Sequence, residues 1–115
     1  MNKRLKKMFD EYNWLYWGGM LPELEIKGSR TFKWCGEYFN PDTKEEDVNF
    51  PYKIVINITL PLHEQRDTML HEMCHHSCFI KYKERYWAKK IYWHGKEWQQ
   101  EMKRVGFTGR ITKYT

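Results

Sequence analysis

The residues of this chain best placed to do chemistry lie in HEMCH, His71 to His75. Successive residues of an α-helix are turned by about 100°, so His71 and His75 stand one turn apart, about 40° from each other on one stripe. Two imidazole nitrogens so placed can share one metal ion. Glu72 lies beside that stripe, where its carboxylate can reach a water on the metal rather than the metal itself, which is the position of a general base. Chance gives HExxH in about 2% of shuffled chains of this composition. The motif therefore needs support from its flanks.

A catalytic zinc takes three protein ligands and keeps one position for water. His94 is the strongest third candidate, because it precedes Gly95 at the start of a helix pattern, a geometry that can present an imidazole inward on a fixed backbone. His76 is turned about 100° from His75, and His63 lies more than two turns before His71, so neither shares the ion readily. Cys74 and Cys78 read as small residues in or near the helix core. With Cys35 they make three cysteines, an odd number without a CxxC pair, which argues against a disulfide framework or a zinc ribbon.

The elements that must position these residues follow from periodicity. Leu5, Met8, Phe9, Tyr12, Leu15 and Tyr16 predict an amphipathic helix from Lys3 to Trp17, stopped by Gly18-Gly19 and turned away at Leu21-Pro22. A short strand follows over Leu24 to Lys27. Arg30 to Phe39 is β-rich, with Gly36 marking a bulge or a close backbone approach. Asn40 to Pro51 reads as a solvated loop. Tyr52 to Leu60 is the strongest strand, with Ile54, Ile56 and Ile58 on its core face. The helix carrying HEMCH is expected from Leu62 or His63 to Ile80, and a last helix from Lys96 to Val105, stopped by Gly106.

The chain has 115 residues, enough for one domain with one core. Its apolar runs are too short for a membrane span, and its charged start does not resemble a secretion signal, so an intracellular (cytoplasmic or nuclear), monomeric protein without a membrane partner is expected. Net charge is +5, and 17% of residues are aromatic. Base and ring interleave in KYKERYWAKKIYW, where Lys81, Lys83, Arg85, Tyr86, Trp87, Lys89 and Lys90 have the composition of a surface that stacks bases and holds phosphates. The alternative is that the tryptophans are core and the lysines solvate the surface.

Taken in order, WGGMLP (Trp17 to Pro22), KWCGEY (Lys33 to Tyr38), KIVINITL, TMLHEMCHH (Thr68 to His76) and HGKEW (His94 to Trp98) resemble the SprT-like zinc metalloprotease domain, the family of the bacterial SprT proteins and of Spartan. The resemblance covers about Met8 to Phe107. It implies a zincin-like α+β fold, a small antiparallel sheet packed with about three helices and HExxH on a central one. It also implies a single catalytic zinc on His71, His75 and His94, with Glu72 as catalytic acid/base. The whole chain, 1–115, is then one metalloprotease domain without a C-terminal zinc ribbon. The expected activity is zinc-dependent cleavage of proteins bound or crosslinked to DNA, single-stranded DNA being the favoured partner. The runner-up is a non-proteolytic nucleic-acid-binding module with a structural zinc.

Overall fold

The computed structural model describes residues 2–41 and 52–106. The first helix, α1 (Lys3–Trp17), begins where the Asn2 side chain accepts a hydrogen bond from the Leu5 N–H, satisfying a first-turn donor that the helix cannot. Leu5, Met8 and Phe9 form its buried face, whereas Leu15 is 65% exposed. Asn13 takes the remaining inward position. Its amide both donates to the Leu21 carbonyl and accepts from the Leu21 N–H, which pins the turn that follows. Gly18 ends the helix at φ 59°, where a Cβ would cost about 1–2 kcal/mol.

Three strands follow, β1 (Glu25–Ser29), β2 (Gly36–Phe39) and β3 (Lys53–Asn57), in the order β1-β3-β2. The sheet is mixed rather than antiparallel: β2 runs antiparallel to β3, but β1 runs parallel to it. Parallel neighbours need a long return path. Residues 30–52 supply one, and β2 lies within it on the far side of β3. Only the last four residues of the β-rich stretch form strand. The expected loop after Asn40 lies outside the described residues from position 42, as does the tail from 107.

Gly36 is a close approach. A Cβ there would stand 2.5 Å from Thr68 Cγ2, 2.9 Å from the Val55 carbonyl oxygen and 3.3 Å from Glu72 Oε2. The missing side chain therefore lets β2 lie against the HEMCH helix and leaves room for the Glu72 carboxylate.

That helix is α2 (Leu62–Trp87), which continues past the expected end at Ile80. No glycine or proline stops it; Tyr82 kinks it (φ −123°), and the burial of Tyr86 holds the last turn against the core. One face of α2, with Met69 and Met73, packs on α1 and the sheet residues Ile26, Ile54 and Ile56. The other, with Leu70, Cys74, Cys78 and Phe79, packs on α3 (Lys96–Arg104) through Trp98 and Met102. The middle of α2 is thus enclosed on both sides. His71 to His76 are all buried.

Candidate metal centre

Two histidines come from α2 and the third from the turn before α3. The ligand atoms of His71, His75 and His94 all lie within 4.8 Å of one another, and the ring centroids are 4.9 to 5.4 Å apart. Nitrogen ligands of a tetrahedral ion stand about 3.4 Å apart, so gathering them on one ion is a shift of under an ångström per ring.

Burial sets the protonation of the trio. It lowers the pKa of His71 to about 3, with the His94 ring adding to the effect, and it holds His75 well below the ordinary value and His94 below it. All three are therefore neutral at pH 7, the form in which imidazole binds a metal. His75 Nδ1 is buried without a hydrogen-bond partner among the described residues. An unpaired buried nitrogen costs about 1–3 kcal/mol. The donor set fits a metal ion, which would relieve such a cost.

Glu72 is fully buried, and neither carboxylate oxygen has a hydrogen-bond partner among the described residues. Burial, reinforced by the charge of Glu37, raises its pKa well above the ordinary glutamate value. It lines a cleft of about 220 Å³ with Glu37, Tyr38, His75, Trp93 and His94. Glu37 falls within the KWCGEY segment, where no role was read for it; the pairing of β2 with β3 puts it in the cleft.

Trp98 does more than fill the core stripe of α3. Its indole is fully buried, stacks on His75 (5.1 Å, 17°) and lies 4.7 Å from His71 and 4.8 Å from His94. Its Nε1–H donates to the His71 carbonyl at 3.3 Å. One side chain therefore packs against all three imidazoles. His94 and Trp98 share the short segment HGKEW, but His94 stands before the extended cap Gly95, so no helical spacing joins the two and the contact had no sequence signal.

His76, next to His75, has a different fate. Its Nε2 lies 2.8 Å from the Pro22 carbonyl, which can only accept, so Nε2 carries the proton. Nδ1 is then the acceptor, and the Tyr38 hydroxyl donates to it at 2.7 Å. Both His76 nitrogens are engaged and the Tyr38 proton is directed at one of them, so neither residue offers a donor to the cleft. His63 is exposed near the start of α2. Cys74 and Cys78 are buried in the second core, and burial pushes the Cys78 thiol up to about 12 and the Cys74 thiol higher than usual as well, which disfavours thiolate ligation.

The basic and aromatic segment divides. Lys81, Lys83, Arg85, Lys89 and Lys90 are exposed, Arg85 standing 3.6 Å from Glu97. Tyr86, expected among the base-stacking rings, is instead 7% exposed and stacked on Trp93 at 4.4 Å. Trp87 is half-buried, its indole N–H bonded to the Pro41 carbonyl at 3.1 Å. The extension of α2 turns these two rings toward the core. Tyr92 and Trp93, 82% and 41% exposed, are the outward rings.

An α+β domain that gathers two buried imidazoles, a half-buried third and a carboxylate at one cleft is consistent with a metallopeptidase. The SprT-like family model matches residues 5–115, and the chain belongs to the SprT-like family. No curated protein matches it. Among the described residues, no helix is long and apolar enough to cross a membrane.

Proposed function

We propose that the chain is a zinc-dependent endopeptidase of zincin type, with His71, His75 and His94 as zinc ligands and Glu72 as catalytic acid/base. The observation that carries this reading is the Glu72 carboxylate, buried, without a hydrogen-bond partner among the described residues, and facing a cleft shared with His75 and His94. A structural metal site has no use for such a group. A zinc ion bound there would polarise a peptide carbonyl and bring the pKa of water to about 7.

Glu72 takes the proton of the attacking water on a carboxylate oxygen and returns it to the leaving amine nitrogen. A carboxylate with a raised pKa suits both transfers near neutral pH. Gly36 keeps the space in which that carboxylate sits. Since β2 is an edge strand among the described residues and its Glu37 and Tyr38 line the cleft, an extended peptide can add to β2 through main-chain hydrogen bonds, with little demand on sequence.

The substrates we favour are proteins bound or crosslinked to DNA. The support is the set of exposed lysines Lys81, Lys83, Lys89 and Lys90 together with the outward Tyr92. The test is cleavage of a DNA-binding protein with and without single-stranded DNA, at two salt concentrations, by the zinc-loaded protein and its Glu72→Gln form. Cleavage that needs Glu72 and rises with DNA at low salt is expected. Equal rates for the two forms would sink the peptidase assignment, and indifference to DNA would sink the substrate class.

A further inference from the structure

A second cleft, of about 290 Å³, adjoins the metal centre and is walled by Phe79, Tyr86, Trp87, Ile91, Tyr92 and Trp93. Trp93 belongs to both clefts. Its ring meets His75 and Tyr38 on one side (5.7 and 6.4 Å) and stacks on Tyr86 and Phe79 on the other. We propose that this aromatic cleft is a specificity subsite that takes a large apolar or aromatic side chain of the peptide substrate, two or three residues from the bond cleaved. The inference rests on the peptidase reading above and assigns its substrate preference.

Three observations carry it. The chain that borders the metal cleft continues into the second one: Glu37 and Tyr38 line the first, and Asn40 and Pro41 line the other. A strand rises about 3.3 Å per residue, so a peptide laid along β2 reaches the aromatic cleft after about 10 Å, two or three residues from the reacting carbonyl. The walls are also preformed. Trp87 is tied to the Pro41 carbonyl, and Phe79 packs edge-on against Trp87 at 5.7 Å, so little side-chain freedom remains to be lost on binding.

The third observation is at the rim. Lys89, which lines the cleft, has φ 60°, the one positive φ at a non-glycine residue among the described residues. Its N–H bonds the Tyr86 carbonyl and the Lys90 N–H bonds that of Arg85, the pair of bonds that closes a helix where glycine is usual. The strained turn lies between Tyr86 and Trp87, which end α2, and Ile91, Tyr92 and Trp93, so it fixes how the walls face one another. Tyr92 and Trp93, 82% and 41% exposed, leave aromatic surface open to a ligand at the same rim.

The test uses an alanine-based peptide and versions carrying one Phe at each position in turn, titrated by calorimetry into zinc-loaded Glu72→Gln protein, with a single-stranded oligonucleotide as competitor. At the best position Phe should tighten binding about tenfold or more over the parent peptide. Asn40→Trp, which fills the cleft, and Tyr92→Ser, which removes an outer wall, should each erase most of that advantage while near-ultraviolet circular dichroism stays native. Equal affinity for Phe and parent peptides, or no measurable binding of either, overturns the subsite. So does an advantage that survives Asn40→Trp, or a competing oligonucleotide that occupies the cleft in place of Phe. Because no hydrolysis is read, loss of the subsite leaves the peptidase reading standing if wild-type protein cleaves, whereas absent cleavage with intact Phe preference removes the chemistry alone.

Discussion

Two glutamates on the packed pair α2 and α3 show opposite treatments of the same side chain. Glu101 accepts hydrogen bonds from the Ser77 hydroxyl, from the Trp17 indole at 3.0 Å and from Arg104 at 2.5 Å. Burial would raise its pKa, but those three donors hold it below the ordinary value. Glu72, one helix away, is more deeply buried, has no such donor among the described residues, and is pushed the other way. Glu101 joins α1, α2 and α3. Glu72 weakens the metal-free fold in order to hold a reactive carboxylate beside three imidazoles. A satisfied buried charge is architecture, and an unsatisfied one at a cleft is chemistry.

The sharpest way to break that contrast is Glu72→Gln. Cleavage should fall about 10²- to 10⁴-fold with bound zinc unchanged, measured by turnover and by metal content. The same change should stabilise the metal-free protein at pH 7 by about 1–3 kcal/mol in urea, because an unpaired buried charge is removed. A metal-free variant no more stable than wild type would mean that Glu72 is solvated after all. Glu101→Gln should do the reverse, costing about 2–3 kcal/mol of stability in the same titration while leaving the rate per folded molecule near wild type.

Trp98 tests whether the imidazoles are held in place by their surroundings. Trp98→Leu should weaken zinc binding about 10- to 100-fold in a chelator competition, and Trp98→Phe, which keeps a ring and loses the bond to His71, should fall between. Unchanged affinity in both would leave the three rings positioned by backbone alone.

The smallest effect is in pH. Glu101 has a lowered folded pKa, so its contribution is present above the ordinary 4.5 and is lost as pH falls through the folded value. Glu72 has a raised one, so in metal-free protein its penalty is absent at low pH and grows as pH rises through 4.5 toward the folded value. Urea midpoints of metal-free Glu72→Gln and wild type should therefore converge as pH is lowered toward 4, while Glu101→Gln and wild type stay apart until lower pH.

Much of this was legible without coordinates. The α1 bounds, the Gly18 stop, the close approach at Gly36 and α3 follow from local rules: a 3.6-residue apolar period, a residue that tolerates positive φ, and one that lacks a Cβ. The pairing of His71 with His75 needs only helix geometry, and His94 stood out by its place before a helix start.

The sheet order, the length of α2 and the surroundings of each titratable group were not legible, because they depend on contacts between segments far apart in the chain. HExxH sets Glu72 apart from Glu101 and helix geometry sets His75 apart from His76, but neither tells which polar atoms find partners; the donors that satisfy Glu101 come from residues 17, 77 and 104. Spacing along one helix was enough to single out His71, Glu72 and His75 as candidates, and His94 needed a second, separate cue. Which of them are left with unmet hydrogen-bonding capacity was decided only when α1, the sheet and α3 closed around α2, since desolvation and partners are properties of the packed whole.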